Sequence, residues 1–155
     1  MKSLIVVYSY HYNNTQKVAQ SMAKVLDAPV KSPKNIALED LSQYDLLGFG
    51  AGIDSGKHYK ELLDFADALP QVTDKKAFIF STAGVIGEKK MAKDHSKLKK
   101  KIEAKGYKVL DEFQCKGHNT NLFLKFFGGM NRGRPNVKDL KNAELFAQNL
   151  MQHGI

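Results

Sequence analysis

Tryptophan is absent from this 155-residue chain, and cysteine occurs once, at Cys115. A single thiol excludes an intrachain disulfide framework and agrees with a reducing compartment, so the chain is read as cytoplasmic. Proline occurs only four times, and no Pro-rich or repetitive linker divides the sequence. Long apolar runs are also missing. The run "SLIVVY" at 3–8 falls far short of the roughly 18 apolar residues of a membrane span, and polar residues follow too soon for a signal-peptide core. Neither G-x-x-x-x-G-K-[ST] nor G-x-G-x-x-G occurs, which argues against a P-loop nucleotidase and a dinucleotide fold. No grouping of His, Cys and carboxylates has metal-ligand spacing.

What is present fits one domain over 1–155, large enough to bury about two-thirds of its unfolded surface without cross-links. Hydrophobic residues make up 43% and charged residues 26%, within the ordinary globular range. Lysine and arginine total 24 against 16 acidic residues, a net charge of +8. The excess is concentrated in "KKMAKDHSKLKKKIEAK" (89–105), where eight lysines face only Asp94 and Glu103. This stretch reads as a solvated basic helix face. Its field favours an anionic ligand or an acidic partner. Aromatic residues are not interleaved with the lysines, so a base-stacking surface for nucleic acid is not expected.

The apolar period changes along the chain. "SLIVVY" is continuous and β-branched, as in a strand buried on both faces. Val18, Met22, Val25 and Leu26 predict a helix over 14–26, with Asn13 or Asn14 as its N-cap. "APV" (28–30), "YDLLGFGAG" (44–52), "KAFIFSTAG" (76–84) and "YKVLDEFQC" (107–115) read as the second to fifth strands, the last alternating like an edge strand. Helices are expected over 59–69, over the basic stretch with Met91, His95, Leu98 and Ile102 inward, and over 136–152. The alternation predicts an α/β fold, a three-layer sandwich with a five-stranded parallel sheet in the order 2-1-3-4-5 and helices on both faces. Such sheets bind ligands beyond the carboxyl ends of their strands, beside the first strand. The loops at 9–15, 50–58 and 81–87 lie there, joined by 116–121 with His118, Asn119 and Thr120.

The first loop, "SYHYNNT", joins a buried strand to a helix N-terminus. Helix N-termini carry unpaired N–H groups and the positive end of the dipole. Ser9, His11, Asn13, Asn14 and Thr15 add short donors. A phosphate monoester suits this set; a plain capped turn would use the same residue types. Asp54-Ser55-Gly56 is similarly either an ordinary turn or a glycine-eased switch. "STAG" (81–84) is either a small-residue turn or a source of backbone N–H groups for a ligand. Tyr59 reads as a core residue, and Cys115 as a buried filler with no base partner.

In order along the chain, "YSYHYNNT", "YDLLGFGAGIDSGKHYKELLDF", "FIFSTAG" and "GGMNRGRPNVKDLKNAELFAQNL" are similar to the corresponding segments of the flavodoxin family, especially its short single-domain members. The resemblance spans nearly the whole chain and implies a flavodoxin-like fold that binds flavin mononucleotide (FMN) without covalent linkage. The first loop is one residue longer than the common pattern, and Asn13 stands where glycine is usual; Asn tolerates a left-handed backbone better than most residues. The resemblance implies that Ser9, His11, Asn13, Asn14 and Thr15 surround the 5′-phosphate. It places Ile53, Asp54, Ser55 and Gly56 on one side of the flavin ring and Ser81, Thr82, Ala83 and Gly84 at its polar edge, with His58 near the rim. A carbonyl of the Asp54–Gly56 turn would meet the proton that reduction adds at N5.

No catalytic residue is assigned. The implied function is electron transfer between redox partner proteins, acidic ones given the basic surface, with a less negative potential than an acidic protein would impose. The alternative is a small FMN-dependent NAD(P)H:quinone or nitro-compound reductase, its pocket roofed by Phe123, Phe126, Phe127 and Arg132. A phospho-acceptor receiver domain shares the strand order, but Asp45 opens the third strand rather than ending it, and Tyr8 and Ser9 replace an acidic pair after the first.

Overall fold

The structure is a computed structural model that describes residues 1–10, 13–117 and 131–154. The opening apolar run forms β1 (Ser3–Tyr8), and the helical pattern after it forms α1 (Asn14–Leu26). A two-residue β2 (Val30–Lys31) and two short 3-10 turns lead to β3 (Leu46–Asp54). β3 folds back into a two-residue β4 (Lys57–His58), followed by α2 (Lys60–Ala68), β5 (Lys75–Ala83), α3 (Glu88–Ala104), β6 (Tyr107–Lys116) and α4 (Val137–His153). The parallel strands lie in the order β2-β1-β3-β5-β6. Without the added β4, this is the expected 2-1-3-4-5 order.

Strand alternation sorts the apolar side chains into two cores. Ile5, Val7, Phe78 and Phe80 pack under α1 and α4 with Val18, Met22 and Leu150. Leu4, Val6, Leu47, Phe49 and Ile79 pack on the other face with Leu62 of α2 and Leu98 of α3. Gly48 and Gly50 are paired with Phe78 and Phe80 across the β3–β5 ladder. A Cβ at either glycine would fall inside the neighbouring phenyl ring. The glycines of "GFGAG" therefore leave room for two large rings and do not end the strand.

Two departures from the sequence reading bear on the site. β3 runs on to Asp54 instead of stopping at Gly52, and the chain reverses there into β4, pairing Ile53 with His58 and Asp54 with Lys57. Ser55 and Gly56 both have positive φ, 53° and 78°. That is the arrangement of a two-residue hairpin turn whose twist matches its strands. The other departure is the start of α1. Asn13 occupies the N-cap position in a left-handed conformation (φ 53°, ψ 35°) but makes no side-chain cap; the Gln16 N–H instead donates to Ser9 Oγ, 3.2 Å away. The end of β1 thus caps the helix that follows it.

The phenyl-for-glycine exchange predicts that Gly50→Ala destabilises the fold by about 1–3 kcal/mol, the usual cost of overpacking. Urea denaturation reads this directly, and Phe80→Leu in the same chain should restore part of the loss by vacating the contested space.

Candidate functional site

The carboxyl ends of β1, β3, β5 and β6 converge at one edge of the sheet, and three successive residues of β5 organise it. Thr82 faces α1, and its hydroxyl oxygen lies 2.9 Å from that of Thr15. Ser81 faces the opposite way, toward α3, with Oγ 2.6 Å from His95 Nε2. The carbonyl of Phe80 accepts from His58 Nε2 at 3.1 Å. The β1–α1 loop, α3 and the β3–β4 hairpin are thereby all tied to the end of one strand.

On the α1 side the structure brings together Ser9, Asn14, Thr15 and Thr82. Asn14 and Thr15 are buried in the first turn of α1, which contains no acidic residue. At Gly117, just beyond β6, a Cβ would meet Asn14 Nδ2 at 2.9 Å and Thr82 Cβ at 3.2 Å, so glycine lets the three loop ends close on one another. The Thr15–Thr82 contact uses one hydroxyl proton of the two. Dipole, hydroxyls and amide favour an anion here. Asn13 itself is exposed. His11 lies outside the described residues, as do His118, Asn119, Thr120, Phe123, Phe126 and Phe127.

On the hairpin side, Ile53 is half-buried, and Asp54, Ser55 and Gly56 are exposed at the turn, with open space where a Gly56 side chain would be. Across from them Gly84 leaves the strand, followed by exposed Val85 and Ile86. Ser81, Thr82 and Ala83 remain within the β5 ladder, paired with β3 or β6, so Gly84 is the first residue of this group outside the sheet. Asn131 donates from Nδ2 to the Gly84 carbonyl at 2.6 Å, tying the approach to α4 to this loop. Tyr59 packs partly against the core, as expected, and also against the rings of Tyr8 and Tyr10, at 5.8 and 6.0 Å between centroids.

His58 departs from its expected place at the rim. It is 1% exposed, turned inward beneath the hairpin, with its ring 4.9 Å from that of His95. A polar network surrounds the pair. His95 Nδ1 lies 3.1 Å from Glu112 Oε1, and Gln114 Nε2 donates to both Ser81 Oγ and Asp94 Oδ2, at 3.1 and 3.0 Å. Lys90 reaches Asp94 at 2.6 Å, and Lys99 reaches Glu112 at 3.3 Å. Carboxylates only accept, so His95 donates from Nδ1 to Glu112 and accepts the Ser81 hydroxyl proton at Nε2. The connectivity Ser81–His95–Glu112 is that of a hydrolase triad, but Ser81 and His95 are wholly buried and no substrate can reach the hydroxyl. Burial, together with neighbouring His95, pushes the His58 imidazole down to about 3. Burial also pushes His95 down to about 4, against the pull of Asp94. Both rings are therefore neutral at pH 7. His95 was legible as an inward-facing helix residue. Glu112 and Gln114 were not, because their bonds to α3 and β5 reach across from β6.

Cys115 is buried, and burial raises its thiol to about 12, which removes it as a nucleophile. Asp45 sits at the opposite end of the sheet, where its carboxylate accepts from the Lys2 N–H at 2.9 Å. No helix among the described residues is long and apolar enough to cross a membrane. Among the described residues no group of three or more His, Cys, Asp or Glu side chains is placed to hold a metal ion.

Comparison with known proteins agrees with this architecture. A protein 42% identical over 153 residues occurs in Methanocaldococcus jannaschii as an uncharacterized protein; the match covers 99% of this chain and 100% of the relative. The oxidised flavodoxin 2 of Bacillus cereus superposes with a TM-score of 0.73 at 16% identity, covering 98% of this chain and 99% of that one. A Fusobacterium nucleatum flavodoxin bound to flavin mononucleotide superposes with a TM-score of 0.67 at 14% identity, covering 98% of each chain. A family model described as a flavodoxin domain matches residues 5–152, so nearly the whole chain, including all four loops of the candidate site, belongs to the flavodoxin-domain family.

Proposed function

We propose that this protein binds FMN at the carboxyl edge of its sheet and carries electrons between redox proteins. The observation that carries this reading is the gathering of Ser9, Asn14, Thr15 and Thr82 at the N-terminus of α1, where no acidic side chain opposes a phosphate. The FMN bound to the Fusobacterium relative supports the choice of ligand. FMN would supply reversible one- and two-electron chemistry. The protein's part is binding, orientation and field. The α1 dipole and hydroxyl donors would hold the phosphate. Ile53 and the Asp54–Gly56 turn would lie along one side of the ring, and the Gly84 loop along the other. The net charge of +8 opposes reduction to an anion less than an acidic surface would.

The same charge selects the partner. Of the α3 lysines, Lys90, Lys99 and Lys101 are paired with Asp94, Glu112 and Asp67. Lys89, Lys93, Lys97 and Lys100 are exposed at i, i+4, i+8 and i+11, one solvent face about 16 Å long. The stripe begins beside exposed Val85 and Ile86, which stand 55% and 37% exposed next to the Gly84 loop. An acidic redox protein would meet an apolar tip flanked by lysines. The cytoplasm, as a reducing compartment, suits the lone buried thiol.

Two outcomes are expected. The protein freed of bound flavin should quench added FMN fluorescence, and Thr15→Val, which keeps the side-chain shape but loses the hydroxyl, should weaken binding about 10- to 100-fold, the worth of a hydrogen bond to a charged group. A wild-type protein that ignores FMN would end the reading. In stopped-flow oxidation of the reduced protein, the anion ferricyanide should react more slowly as salt rises and the cation cobalt hexaammine faster. Lys89→Glu with Lys93→Glu should flatten both slopes, whereas Lys24→Glu with Lys31→Glu, away from the stripe, should leave them nearly unchanged.

A further inference from the structure

The hairpin that carries the Asp54–Gly56 turn has few ways of staying in place. β4 is two residues long, and the turn stands in open space. One backbone bond, from the Tyr59 N–H to the Gly52 carbonyl at 3.2 Å, closes the base of the hairpin. Besides the Ile53–His58 and Asp54–Lys57 ladder pairs, the attachment that reaches β5 is a side chain. His58 passes under the hairpin, bonds the Phe80 carbonyl and lies against His95 of α3.

The hydrogen-bond roles in this attachment are determined by chemistry. The Phe80 carbonyl only accepts, so His58 carries its proton on Nε2. Its Nδ1 is then a lone pair, fully buried, with no partner among the described residues. His95 is committed in the opposite sense, donating from Nδ1 to Glu112 and accepting from Ser81 at Nε2. A proton added to His58 would sit on Nδ1 with no acceptor, against a ring whose own Nε2 is already occupied. The charged groups nearest the pair are Lys90, Asp94 and Lys99 on α3 and Glu112 on β6, with Asp54 and Lys57 on the hairpin itself. Within that set Lys90 and Asp94, and Lys99 and Glu112, neutralise one another, and Asp54 is exposed at the turn, so none of these offers a buried, unpaired carboxylate to an imidazolium.

We propose that His58 and His95 are positioning residues for the Asp54–Gly56 turn, a latch of two neutral imidazoles in contact that fastens the flavin-side hairpin to β5 and α3 and lets go when a proton enters. The effect on flavin rests on the proposed FMN site; the latch itself does not. The direction of the pH response follows from linkage. In the released hairpin His58 has the ordinary histidine value near 6.5, and in the latched state it stays neutral to about 3. Protons therefore favour release as pH falls below about 6.5. At pH 4.5, two units below the ordinary value, the released population should be about a hundredfold larger than at pH 7.

Amide hydrogen exchange on the flavin-free protein tests the latch without reference to FMN. The Tyr59 amide should be less protected than the Val6 amide in the β1–β3 ladder at every pH, and its protection factor should fall about a hundredfold between pH 7 and 4.5. His58→Gln can still donate to the Phe80 carbonyl but cannot titrate; it should keep the pH 7 protection and lose most of the pH dependence. His58→Ala should expose the Tyr59 amide at pH 7 as well. A Tyr59 amide as protected as Val6, or a protection factor indifferent to pH in the wild-type protein, overturns the proposal even if no variant folds. FMN affinity then reports on the site separately. It should fall more steeply with pH in the wild type than in His58→Gln, where the ligand's phosphate still titrates but residue 58 does not. A latch seen in exchange with no FMN binding at any pH would retain the hairpin device and discard the flavin reading.

Discussion

Every loop of the candidate site depends on the carboxyl end of β5. Phe80, Ser81 and Thr82 are consecutive, and a strand turns consecutive side chains to opposite faces. Thr82 therefore reaches α1, Ser81 reaches α3, and the Phe80 carbonyl receives the hairpin through His58. The Phe80 ring, on the Thr82 side, occupies the space that Gly50 leaves empty. One short stretch thus sets the spacing of three connections using one phenyl ring, one carbonyl and two hydroxyls. A shift of one residue in the β3–β5 register would exchange the two faces and separate all of these contacts at once.

The two faces of β5 have different chemistry. The α1 side is a set of hydroxyls and amides around a helix N-terminus, suited to a dianionic group that arrives from solvent. The α3 side is a closed polar network with ordered donors, running from Gln114 through Ser81 to His95 and out to Glu112. Such a network is tolerated in an apolar layer only when its members are paired. Among the described residues, Gln114 Oε1 within this network and His58 Nδ1 beside it have no partner. Buried unpaired acceptors carry a desolvation cost that a fold keeps only where the surroundings compensate.

Charge is partitioned with the same economy. Three of the α3 lysines close ion pairs against α3 itself, β6 and α2, and the four on the outward face remain free for long-range attraction. Two of these pairs are partly buried through Asp94 and Glu112. The pairing leaves one stripe of exposed lysines on α3 that starts near the apolar Val85–Ile86 tip.

Periodicity made the strands, the helices and the order of the parallel sheet readable in advance, because continuous apolar runs and helical spacing report burial residue by residue. The gathering of the loops at the carboxyl edge of the sheet followed from the strand order alone. Asn13 in its left-handed conformation could likewise be anticipated, since few other residues accept it without strain. The hairpin could not: Asp54-Ser55-Gly56 is an ordinary turn in sequence, and its reversal shows only when Ile53 meets His58. His58 looked like a rim residue because nothing in a linear chain says which face of a two-residue strand is covered. Its burial follows from α3 lying across it, and the partners of His95 follow from β6 lying beside β5. Contacts between elements far apart in the chain leave no period in the sequence, and for that reason they appear only once the sheet is assembled.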